Sequence, residues 1–156
     1  MITYKDIKNA INHKLDVFDV EINSRDVSEG FERPSFFVRL ENSKRSGDGS
    51  QVHKTMNVQI YYFPSDRYEY SIEVLEIQER LEELFDLKLP VRDRLLNIDE
   101  LNTDLIDGVL NCSFDLEFYD GRKSDTIIDD LNCGEDFREK YPIELIKELD
   151  FEKVEE

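Results

Sequence analysis

Apolar positions recur at steps of three and four near the start of the chain. Tyr4, Ile7, Ile11 and Leu15 stack along one face of a predicted helix. Thr3, with Asp6 three residues on, is a capping signal, because the hydroxyl satisfies a backbone N–H left orphan in the first turn. Val17 to Ile22 alternates apolar with mixed residues and predicts a short strand. Residues 23–33 are polar, carry Gly30 and end at Pro34, and so read as a connection. The period then falls to two. Phe36, Val38 and Leu40 share one side of a strand over Ser35–Glu41, while Phe37 and Arg39 point the other way. Glu41 to Lys54 (ENSKRSGDGSQVHK) has two glycines and no apolar period beyond Val52, the pattern of a long loop. Met56, Val58, Ile60 and Tyr62 alternate again until Pro64. The two runs therefore predict a long antiparallel hairpin with a mobile tip.

A second helical stripe follows over Tyr70–Leu87, with Val74, Ile77, Leu81 and Leu84 in line and Leu75 and Phe85 widening it. Pro90 closes that unit, and Leu96 and Ile98 suggest a further strand. Asp107-Gly108 lies between two apolar runs and suits a tight type I′ turn, whose central residues both need positive φ. Leu110, Cys112, Phe114, Leu116 and Phe118 then line one face of the clearest strand in the chain, Val109–Tyr119, with Asn111, Ser113, Asp115 and Glu117 on the other. At about 3.4 Å per residue that strand extends roughly 35 Å, long enough to run past its own core. Cys112 is one rung of the apolar ladder and is expected to be a buried thiol. After Asp120-Gly121 the character changes to scattered apolar residues, many acids and a weak helical stripe at Pro142–Leu149. The expected fold class is α+β: an antiparallel sheet of four to five strands, two main helices packed on one face, and a C-terminal arm. Residues 1–120 read as one domain and 121–156 as an acidic, partly helical extension.

Composition narrows the function classes. A chain of 156 residues is one domain by length and can bury about 70% of its unfolded surface. Ten Phe and seven Tyr are too many for a wholly disordered acidic chain. The net charge of -17, from 37 acidic and 20 basic residues, disfavours a general basic surface for nucleic acid or an anionic membrane. Cys112 and Cys133 form no CxxC pair and fit a reducing compartment. The first fifteen residues alternate charge with apolar positions, unlike a signal peptide. No apolar run approaches the ~20 residues of a membrane span.

The chemistry-bearing residues select no reaction. His13 lies near a helix end, where the dipole favours a cation, and His53 lies in the predicted loop. The acids between Asn97 and Asp107, and those around Asp130, fail the EF-hand spacing at the glycine and read as solvated turns. There is no phosphate-binding glycine loop and no nucleophile elbow. The expectation is a non-enzymatic protein with no catalytic residue, no metal ligand and no cofactor.

Several strings, in order, resemble the tail terminator family of Gram-positive phages and prophages. They are MITYKDIKNAINHKL at Met1–Leu15, SEGFERPSFFVRL at Ser28–Leu40, VQIYYFP at Val58–Pro64, LEELFDLKL at Leu81–Leu89 and RLLNIDELNTDLIDGVLNCSFDLEFYD at Arg94–Asp120. The resemblance covers roughly the first 120 residues, and Gly121–Glu156 is longer than that family's usual short tail. It implies a structural protein that caps the finished tail tube as a homo-hexameric ring, ends its polymerisation and joins it to a head connector or collar. A contractile tail would add the sheath protein. The implied location is a virion or phage-like tail particle assembled in the bacterial cytoplasm, with no membrane partner and no sequence-specific nucleic acid binding. An acidic lumen would let DNA pass without sticking. Lys44, Arg45, His53 and Lys54, basic residues in an acidic chain, are the candidate docking residues for the tube or sheath. Two rivals carry the same charge: an acidic DNA mimic that blocks a DNA-binding protein, and a small hydrolase or nuclease with a dispersed carboxylate site.

Overall fold

A computed structural model describes residues 1–23 and 32–122. Helix α1, Tyr4–Leu15, starts at the Thr3 cap, where the Thr3 hydroxyl accepts from Asp6 N–H and the Asp6 carboxylate accepts from Thr3 N–H. The Thr3 N–H first, and the Thr3 side chain second, hold the Asp6 carboxyl below its ordinary range. Its buried face is Ile7, Ile11 and Leu15. Val17 to Ile22 divides differently from the predicted strand. Asp16–Phe18 is a 3-10 turn that tucks Phe18 against Phe36, with ring centroids 5.1 Å apart, and only Glu21–Asn23 is strand, β1. Asp19, at φ 53, supplies the left-handed bend between them.

β2, Ser35–Gly47, and β3, Gln51–Phe63, form the expected antiparallel hairpin, but the long loop predicted at Glu41–Lys54 is strand on both sides. The cross-strand ladder runs out to Gly47 and Val52, and the turn is closed by the Asp48 carboxylate, which accepts from the N–H groups of Ser50 and Gln51. Polar side chains hid this extension, since backbone pairing needs no apolar alternation. A bulge between Glu41 and Lys44, with Asn42 at φ 51, shifts the register partway along.

Helix α2, Ser71–Leu84, follows, with Val74, Ile77 and Leu81 buried, and Phe85 fully buried just beyond its end. Leu75, predicted to widen that stripe, is exposed. Lys14 donates to the Leu84 carbonyl at 2.8 Å, so one helix caps the C-terminus of the other. β4, Lys88–Val91, and β5, Arg94–Asn97, make a two-stranded hairpin of their own. β6, Leu101–Ile106, and β7, Val109–Gly121, are joined by Asp107 at φ 51 and Gly108 at φ 77, the paired positive values that the Asp-Gly signal predicted.

Among the described residues the main sheet has the order β1-β2-β3-β7-β6. β1 pairs in parallel with β2 over Ser35–Phe37 only, so the sheet is mixed rather than wholly antiparallel. The remainder is the expected α+β architecture. Phe36 and Val38 of β2, Met56 to Tyr62 of β3 and the Leu110–Phe118 ladder of β7 share one core with both helices. Cys112 sits in that ladder, fully buried, and burial first, with the Glu82 charge second, pushes its thiol up to about 12. Burial also raises Tyr62, whose hydroxyl donates to Glu73 at 2.7 Å.

One polar cluster closes the domain. Asp120, 8% exposed at the end of β7, accepts from Ile2 N–H at 3.0 Å and pairs with Arg94 of β5, whose guanidinium lies over the Phe118 ring. The start of the chain, the small hairpin and the last strand are thereby tied together. The predicted helix at Pro142–Leu149 and Cys133 lie outside the described residues.

Candidate assembly surface

Among the described residues the sheet's second face carries no helix. Along β3 it presents His53, Thr55, Asn57, Gln59 and Tyr61, and along β7 Asn111, Ser113, Asp115, Glu117 and Tyr119. His53 meets Glu117 at 2.6 Å and Asn57 meets Asp115 at 2.8 Å, contacts that run in opposite senses along two antiparallel neighbours. The face has two unlike ends. At the hairpin tip it is polar, with His53 stacked on Tyr119 at 4.4 Å between centroids. At the far end Phe37 and Tyr61 stack at 6.2 Å, and Phe63, Ile106 and Val109 complete a shallow apolar hollow. An aromatic at Phe37, on the side of the strand away from the core, is the sequence signal for that hollow.

The four predicted docking residues are split by the register. Lys44 stands opposite Thr55 and projects on the open face, whereas Arg45 stands opposite Lys54 and projects on the helix side. Both are exposed, and neither has an ion-pair partner among the described residues. Lys54 is 6% exposed, its ammonium 4.6 Å from the centroid of the Tyr4 ring on α1, a cation–π contact that fixes the helix start to the sheet. His53 is held by Glu117 and Tyr119 within the strand ladder, not in a loop. Lys44 and Arg45 thus remain available to a partner, while His53 and Lys54 are engaged within the fold.

The sheet's edges are a second exposed surface. β2 has no neighbour on its outer side beyond Phe37 among the described residues, and β6 is the opposite edge. Asp99, Glu100, Asp104 and Asp107 follow one another along β6 and its flanks with no cation among them. The sequence treats them as solvated turns; in the structure Asp104 lies within an edge strand, where an acid-only run is a surface property. Among the described residues no three His, Cys, Asp or Glu side chains gather as a metal-ligand set.

A family model described as phage tail terminator protein matches residues 6–128, more than three quarters of the chain. The chain belongs to the phage tail terminator family. The match spans every main-sheet strand, all of α2 and α1 from Asp6 onwards. No curated protein matches the chain. This terminator is therefore a structural, tail-completing protein of a phage tail, working by contact with tail and head components. The surfaces that matter in it are edges, faces and charges.

Proposed function

We propose that copies of this terminator close into a six-membered ring on the end of the tail tube, stop its growth and offer the next surface to a head connector or collar. The observation that carries the reading is an open sheet whose two edges lie on opposite sides of one domain, in a chain of the terminator family. A contact between unlike edges is head-to-tail, and head-to-tail contacts whose rotation closes generate rings. No reaction is assigned to it. A contractile tail would add the sheath as a partner, and the particle is assembled in the bacterial cytoplasm. Residues 1–120 are the ring-forming domain, and 121–156 an acidic extension from it. Lys44 and Arg45 are the docking cations, meeting an acidic surface of the assembled tail such as the rim of the tube. His53 and Lys54 support them by fixing β3 to β7 and to α1.

Mass by light scattering, with negative-stain images of the same fractions, tests the ring with and without added tail tubes. A hexamer with a central hole is expected, at least on tube ends. A chain that stays monomeric and leaves tube ends bare overturns the reading.

A further inference from the structure

An acidic surface that fits Lys44 and Arg45 is present on this chain itself. The outer edge of β2 beyond Phe37 carries Arg39, Glu41, Lys44 and Arg45; Arg39 is taken by Glu41 at 3.1 Å, which leaves Lys44 and Arg45 without an ion-pair partner among the described residues. The β6 edge carries only acids. The side on which each charge projects also corresponds. Lys44 lies on the open face, and so does Asp104, which stands opposite Asn111 of that face. Arg45 lies on the helix side. There Glu82 of α2 borders β6, its carboxylate 3.5 Å from the Thr103 hydroxyl, and Gln78 donates to the same hydroxyl at 2.9 Å.

We infer that the joint between neighbouring copies sets the outer edge of β2 on one copy against the β6 edge of the next, with Lys44 facing Asp104 and Arg45 facing Glu82. The inference rests on the ring of the preceding subsection and names its contact. Two open edges of opposite net charge, the β2 edge with Lys44 and Arg45 left over from the Arg39–Glu41 pair and the β6 edge acidic, explain why the contact is directional. A β2 edge against another β2 edge brings cations together, and β6 against β6 brings acids together, so two-fold pairing is disfavoured in both forms. Only the unlike pair is attractive, and it is the head-to-tail contact that a ring requires. Exposed Leu75 on α2 and exposed Leu105 on β6 lie on the helix side of the same edge and supply apolar area there. Each copy offers both surfaces, so the joint repeats without a second kind of subunit.

The full chain tests this by charge reversal and mixing. K44E/R45E reverses one edge and D104K/E82K the other. All four positions are exposed, and circular dichroism checks that each variant folds. Alone, each variant meets itself with like charges, and the assembled fraction is expected to fall roughly tenfold or more, in solution or on tube ends. Mixed in equal amounts, the two restore every joint in strict alternation, so native mass spectrometry should find rings with equal numbers of each variant. Rings that persist in either variant alone, or that do not return on mixing, overturn the inference and leave the ring standing. A K44E/R45E variant that still forms rings but no longer holds tubes returns the two cations to the tube rim. A wild-type chain that makes no ring with or without tubes overturns the ring reading itself.

Discussion

Asp120 carries more of the fold than its place at a strand end suggests. One carboxylate holds Ile2 N–H and the Arg94 guanidinium, and it is nearly excluded from water. Replacing it with Ala leaves a donor and a cation facing an apolar methyl, a loss of about 1–3 kcal/mol for an ion pair whose Arg is partly solvated. Urea unfolding of D120A should show that loss as a lower midpoint with an unchanged slope. Glu73 gives a pH-dependent counterpart. Burial works to raise its carboxyl, but hydrogen bonds from Ser65 and Tyr62 outweigh it and hold it below its ordinary 4.5. The unfolded chain then binds that proton more readily. The stabilisation is full above pH 4.5 and is lost as pH falls through the lower folded value. E73Q is therefore expected to melt lower than wild type at pH 7 and to lose less on acidification to pH 3.

The β2–β3 hairpin is the element on which sequence and structure part most. Its inner half was legible because Phe36 to Leu40 and Met56 to Tyr62 alternate, and alternation marks a strand with one buried face. Its outer half was not, because Asn42 to Gly47 are exposed on both sides and are ordered by backbone pairing and by the Asp48 turn. The acidic β6 edge was illegible as a surface for a related reason: composition lists charges, and only the register places Asp104 and Lys44 on a common face. The helices, the Asp107-Gly108 turn and the β7 ladder were legible, each resting on a local period or a backbone rule. The hairpin end offers a paired test. A Cβ at Gly47, at φ 152, would sit 2.3 Å from the Gln51 carbonyl oxygen, whereas one at Gly49 meets nothing within 4 Å. Thermal melts should place G47A well below G49A, by about 1–3 kcal/mol, the cost of backbone strain plus a displaced strand end.

At the scale of the whole molecule the governing quantity is charge. The proposed six-membered ring would gather roughly a hundred negative charges, and that repulsion acts over distances beyond a Debye length, about 10 Å at 0.1 M salt. Contacts between opposed side chains at a joint are shorter than this and are screened less. Raising salt from low to moderate is therefore expected to increase the assembled fraction, read as mass by light scattering across a salt series. A fraction that only declines would show that long-range repulsion is not what limits assembly. The clasp at Asp120 has a practical corollary. Because it pins Ile2 beside the end of β7, the chain enters and leaves the domain at one corner. A label fused ahead of Met1 therefore starts beside the end of β7, on the side of the domain where His53 of the hairpin stacks on Tyr119.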